Sequence, residues 1–222
     1  MTVSTVALGE VVEIRGGGTP SKSNPDFWNG EIPWVSPKDM KSWEIVDSED
    51  KITEEAVQGS ATNLVPENTT LVVNRSGILK HTLPVGITRR PVAINQDLKA
   101  LIAGPRAHAD YIAHMVKAAE PIVLKWVRAT TADNFSIENL RKLEIPLPQI
   151  SEQRRIAAIL DKADDLRRKR KRALELLDGL TQSIFLEMFE KITKRIQLSL
   201  AMWLRSFGTG HRISQDQLAT QY

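Results

Sequence analysis

The chain has 222 residues, enough for one or two domains, and its hydrophobic fraction of 41% suits a globular core and excludes wholesale disorder. It contains no cysteine, which excludes disulfides and thiolate zinc sites, and no stretch reaches the length of a membrane span. The net charge of +3 sits unevenly: residues 1–149 carry 16 basic against 18 acidic side chains, 150–190 carry 9 against 8, and 191–222 carry 5 against 1. A nucleic-acid role for the first part therefore has to rest on local clustering.

Met1 to Gly9 has neither a charged start nor an apolar run, so no signal peptide is expected and the chain reads as soluble and cytoplasmic. Residues 1–149 read as a mixed α/β (α+β) domain. Leu8, Val11, Val12 and Arg15 fit a short amphipathic helix stopped by Gly16-Gly17-Gly18. Ile32–Ser36, Thr70–Asn74, Leu83–Thr88, Val92–Ile94 and Leu98–Ile102 are strand candidates punctuated by Gly, Pro and Asn. Tyr111, Ile112, Met115, Val116 and Ala119 recur at helical spacing, and a second helix is expected after Pro121. Ser136 can cap a turn through Leu140, and Leu143–Leu147 reads as a last strand. Pro146 and Pro148 keep Ile145 to Pro148 extended, and Ser151 is the expected N-cap of a long helix. In that helix Ile156, Ile159, Ala163, Leu166, Arg170, Ala173, Leu177, Leu180 and Ile184 follow in alternating steps of three and four, a coiled-coil seam. The helix is expected to occupy 150–190, with 191–222 a frayed helix passing into a poorly ordered, divergent tail.

Several motifs invite chemistry. Gly16 to Lys22 resembles a phosphate loop but lacks the second glycine before the lysine; a glycine stop and turn explains it, although Lys22 could touch phosphate. Asp26, Glu49 and Lys51 imitate a small Mg²⁺-dependent nuclease, set in an acidic stretch that would repel a phosphate backbone. Asn24-Pro25-Asp26-Phe27 is one residue from a methyltransferase loop, but no Gly-x-Gly cofactor loop follows a strand. His81, His108, His114 and His211 lack metal-ligand spacing, so no metal site is expected.

One stretch carries a physical case for nucleic acid. Between Glu67 and Asp97 there is no acidic residue, while Arg75, Lys80, His81, Arg89 and Arg90 fall inside it beside Ser76, Asn95 and Gln96. Those side chains suit phosphates and base edges. Lys125 and Arg128 form a second patch without acids. Arg167 to Arg172 is an unbroken basic run inside the long helix, a solvated collar or a contact for nucleic acid or an acidic partner, with Arg170 on the seam itself.

Together, several segments resemble one family, the DNA-specificity (S) subunits of type I restriction–modification systems. The likeness is carried by Leu8 to Ser21, by Asn24 to Gly30, by Ile32 to Met40 with Lys38, by Ala93 to Leu101, and by Ile145 to Pro148 with Glu152 to Asp161. It covers about residues 5–190. The resemblance implies a target recognition domain (1–149) reading one half-site of double-stranded DNA, with Lys38 added to the DNA-contacting candidates, and a spacer helix that docks the methylation (M) and restriction (R) subunits. It also implies a non-catalytic chain without cofactor, S-adenosylmethionine, ATP and Mg²⁺ belonging to the partner subunits. Residues 191–222 show no such likeness. The expectation is a half-subunit that forms a homodimer through antiparallel long helices.

Overall fold

The computed structural model describes residues 4–128 and 133–207. The strands are β1 (Thr5–Ala7), β2 (Val12–Gly16), β3 (Trp28–Val35), β4 (Glu44–Ile45), β5 (Lys51–Ile52), β6 (Asn63–Val65), β7 (Thr70–Val73), β8 (Val85–Thr88), β9 (Val92–Ile94), β10 (Leu98–Ala103) and β11 (Glu144–Pro146). The helices are α1 (Glu54–Gln58), α2 (Ala109–Ala118), α3 (Glu120–Arg128), α4 (Ile137–Arg141) and α5 (Ile150–Phe207). The first compact unit runs through Lys162 and so includes the opening turns of α5; the second begins at Ala163.

Three sheets build the first unit: β2-β10-β7-β8-β4, β5-β3-β9-β6, and the pair β1-β11. Most neighbours are antiparallel, but β3–β9 and β4–β8 are parallel, which fits the expected α+β class. The core strands are short apolar runs, such as Leu71-Val72-Val73, with both faces covered. Helix α2 lies on β7, β8 and β10 and buries Tyr111, Ile112, Ala113 and Val116. Pro121 sits in the first turn of α3, where its missing N–H costs nothing. Ser136 caps α4 by accepting from the Glu138 N–H.

Two expectations about its N-terminal segment are corrected. Leu8 to Arg15 is not a helix: a 3-10 turn at Leu8–Glu10 leads into β2, which pairs with β10. The β-branched Val12 and Ile14 alternate with Glu13 and Arg15, and the free side of β10 stabilises that period-two pattern over the helical one. Gly16-Gly17-Gly18 is accordingly no helix stop. A Cβ on Gly17 would collide with the Ile94 carbonyl, and one on Gly18 would lie 2.6 Å from Ala61. The glycines let the chain cross between two sheets at backbone contact.

The root of α5 is bolted to the domain. Ser151 is not its N-cap, since the helix begins at Ile150, and the Gln149 carbonyl accepts from Glu152 and Gln153 N–H. Gln153, 0% exposed, accepts from the His108 N–H at 2.9 Å and donates to Arg106 O at 3.0 Å and Pro148 O at 2.8 Å. Two turns on, His114 Nε2 donates to Asp161 Oδ1 at 2.8 Å, its ring stacked on Trp43. Beyond Ala163 every described side chain of α5 except Asp164 and Asp165 is exposed. The helix does not fade at Glu190: it continues to Phe207, carried by Leu, Met, Lys, Arg and Gln with no glycine or proline after Gly179. Residues 208–222 of the expected tail lie outside the described residues.

Candidate nucleic-acid interface

The acid-free stretch folds so that its basic residues go to different places. Arg75 follows β7, and its guanidinium Nε bonds Asp97 Oδ1 at 2.6 Å. Ser76 caps the next 3-10 turn, Gly77–Lys80, which carries exposed Lys80 and ends beside exposed His81. Lys80 reaches Asp133 at 3.2 Å. Across Asp97 stands the Asn95-Gln96-Asp97 turn, with Gln96 exposed and its side-chain oxygen accepting from Thr19 Oγ1 at 2.5 Å. Lys99 Nζ donates to the Gln96 carbonyl at 3.0 Å. Burial pushes the Lys99 pKa down, with Asp97 opposing and Arg75 adding to the fall.

These contacts draw Arg75, Ser76, Lys80, Gln96, Lys99 and Thr19 into one polar ridge, with α3 packed against the 77–80 turn and Arg128 exposed at its end. The ion pairs on it are solvent-exposed and weak, so an incoming phosphate can take the cations from Asp97 and Asp133 at little cost. Asn95 differs: it is 5% exposed, and its amide donates to Asp97 and shapes the turn from inside.

Arg89 is placed elsewhere. Its guanidinium bonds Asp110 at 2.7 Å, Glu44 at 3.0 Å and Asn68 at 3.1 Å. Burial pushes its pKa down, but the Asp110 and Glu44 carboxylates outweigh that and raise it. That makes it an internal clamp between β8, β4 and α2. Arg90 is exposed and donates to Glu31 O at 3.4 Å. Lys22 and Lys38 meet around Asp50: Lys22, Trp28, Asn29 and Asp50 line one surface pocket of about 320 Å³, and Lys38 bonds Asp50 at 2.9 Å and Glu49 at 3.2 Å. Those two carboxylates, Asp50 foremost, raise the Lys38 pKa.

The nuclease constellation finds no support in this arrangement. Glu49 is neutralised by Lys38, and Lys51 by Asp47 at 3.2 Å. Among the described residues no three His, Cys, Asp or Glu side chains gather to hold a metal ion. Asn24-Pro25-Asp26 has a local purpose: the Asn24 side chain caps a 3-10 turn by accepting from the Asp26 N–H at 3.1 Å, with Pro25 at its first position.

Sequence reasoning missed Lys99 and Thr19. Lys99 was readable, since Leu98-Lys99-Ala100 alternates buried, partly exposed, buried. Thr19 follows the glycine crossing, and nothing local announces that it faces Gln96.

On the helix, Ile156 is half-buried at the root, while Ile159, Ala163, Leu166, Arg170, Ala173, Leu177, Leu180 and Ile184 are exposed. Arg167 pairs with Asp164, Arg168 and Lys169 with Asp165, and Lys171 with Glu175; Arg170 makes no ion pair with a described residue.

A family model described as the type I restriction modification DNA specificity domain matches residues 2–176. The chain belongs to this family. The specificity domain is 45% identical over 162 residues to the type I restriction enzyme EcoR124I/EcoR124II specificity subunit of Escherichia coli, covering 72% of this chain and 40% of that protein. It is 30% identical over 185 residues to the MjaIX specificity subunit of Methanocaldococcus jannaschii, covering 81% and 42%. It thus spans about two fifths of these curated relatives. Solved structures share the fold. A chain from a study of complex assembly and conformational transition of the type I R-M system aligns with TM-score 0.63 at 22% identity, over 77% of this chain and 40% of that one. The HsdS subunit from Thermoanaerobacter tengcongensis aligns with TM-score 0.58 at 22% identity, over 77% and 39%.

Proposed function

We propose that this chain is the DNA-reading, non-catalytic part of a type I restriction–modification complex, its first unit taking one half-site of duplex DNA. The observation that supports it is the ridge built from Arg75, Lys80, Gln96 and Lys99 in a chain whose relatives are named specificity subunits. The cations position the phosphates, and Gln96, Thr19 and Ser76 offer hydrogen bonds to base edges. Lys22, Lys38, His81, Arg90 and Arg128 extend the positive rim.

The seam from Ile156 to Ile184 asks for a second helix, which we assign to an antiparallel α5 of a second copy. Methylation and restriction subunits dock on the paired helices and bring S-adenosylmethionine, ATP and Mg²⁺, and the assembly works in the cytoplasm. Co-purification with a methylation subunit, lost in Leu177→Glu, is the expected result for the helix.

The test of DNA reading is fluorescence anisotropy against duplexes selected from a random pool. Arg75→Ala/Lys80→Ala/Lys99→Ala should keep the circular dichroism of the parent. Three lost phosphate contacts lower the slope of log K against log salt by up to about 2.7. Unchanged affinity and slope would sink the proposal.

A further inference from the structure

The seam of α5 stops before the helix does. From Leu166 the steps of four and three run through Arg170, Ala173, Leu177, Leu180 and Ile184. Continued, they land on Glu187, Lys191 and Lys194, all charged. The helix nevertheless goes on to Phe207. A second apolar stripe begins at Phe185 with a different period: Phe185 and Ile196, Phe189 and Leu200, and Ile192 and Trp203 each lie eleven residues apart. All six side chains are exposed.

The two patterns demand different partners. Seven residues in two turns drift left-handed around a helix, whereas eleven in three turns drift slightly right-handed. On an ideal helix the second stripe also points roughly 120° away from the first. A helix that follows the seam to Ile184 leaves the later stripe uncovered.

We propose that residues 185–203 form a second pairing surface, and that its occupant is the same segment of a further copy, other than the one paired on the seam, antiparallel about Ile196. The spacing argues for this occupant. Ile192 and Leu200 lie four residues either side of Ile196, and Phe189 and Trp203 lie seven either side. A twofold contact needs such self-complementarity: residue i meets j, and j meets i. Under this axis Phe189 packs on the copy's Trp203, Ile192 on its Leu200, and Ile196 on itself. Leu186 and Leu204 widen one flank of the stripe, Met188 and Met202 the other. The outer face is already neutralised, Lys191 by Glu187 at 2.6 Å and Lys194 by Glu190 at 2.8 Å. Arg195 alone meets its own copy, a repulsion that salt screens.

The cysteine-free chain permits a clean test by mild oxidation of single-cysteine variants of the full chain. Ile196→Cys should form a disulfide-linked dimer. Phe189→Cys alone should not, because two such positions stand about 21 Å apart in the antiparallel pair. Phe189→Cys mixed with Trp203→Cys should cross-link. Leu177→Glu, which breaks the upstream seam, should leave the Ile196→Cys yield within about twofold. No dimer from Ile196→Cys overturns the proposal, as does a Phe189→Cys dimer of equal yield, which signals parallel pairing. Loss of the cross-link in Leu177→Glu also overturns it, by making the distal contact a consequence of the seam. No DNA enters the assay, so its failure is separate from failure of the DNA-reading function.

Discussion

Replacing Gln153 by alanine should cost far more than a polar residue on a helix normally does. The side chain is fully buried and serves three backbone groups that no helix or sheet satisfies: the His108 N–H and the Arg106 and Pro148 carbonyls. An orphaned buried N–H costs about 1–3 kcal/mol, and carbonyls somewhat less because they tolerate partial satisfaction. With the small cavity added, the total comes to about 3–5 kcal/mol. For a unit of this size each kcal/mol lowers the melting temperature by about 2–4 °C, so a drop of roughly 6–20 °C is expected. Urea unfolding followed by tryptophan fluorescence measures it. Gln153→Glu sharpens the test, because at neutral pH it turns a carboxylate towards two carbonyl oxygens. It should be no more stable than Gln153→Ala at pH 7 and should recover as acid protonates the new side chain. An alanine variant within about 0.5 kcal/mol of the parent, or a stable glutamate variant at pH 7, would refute the reasoning.

Other perturbations divide the basic residues by role. Arg89→Ala strands the mostly buried Asp110, while the exposed Glu44 turns to water, and should destabilise by about 1–3 kcal/mol in the same assay. Arg75→Ala or Lys80→Ala should change stability by under about 1 kcal/mol while weakening DNA binding in anisotropy. Gly17→Ala should give insoluble or unfolded protein, because its Cβ has nowhere to go; Gly179→Ala meets nothing within 4 Å and should stabilise the helix by about 1 kcal/mol in thermal melts. Glu120 is pushed up by burial, but Lys117, Thr82 and the Leu83 N–H outweigh that and hold its pKa below the usual range. Its stabilisation is therefore complete at neutral pH and fades as pH falls from about 4 downward. The stability difference between the parent and Glu120→Gln, followed by urea titration, should shrink over that window.

Long-period features were legible in the sequence, and contacts between distant segments were not. The spacing of Tyr111, Ile112, Met115 and Val116 announces α2, and the alternating seam announces α5, because each helix writes its apolar face into local order. The β2 strand was misread because Leu8 and Val11 add a false helical step to a five-residue alternation that only β10 can select. Strands of two residues, β4 and β5, have no period to read. In the candidate interface, composition singled out Arg75, Lys80 and Arg89 alike. Their fates diverge because Asp110 and Glu44 reach Arg89 from other elements, which composition cannot show.

The pair β1–β11 ties Thr5–Ala7 to Glu144–Pro146, a few residues before α5 begins. The two ends of the stretch between these strands are thus fastened side by side, the Leu8 N–H also donating to the Leu143 carbonyl at 2.8 Å. Such a module can be exchanged as a cassette provided it keeps Arg106, His108 and His114, the residues that hold the root of the helix it feeds. Chains that keep this strand pair and the Gln153 bolt can exchange the surface between them in one piece as well as residue by residue.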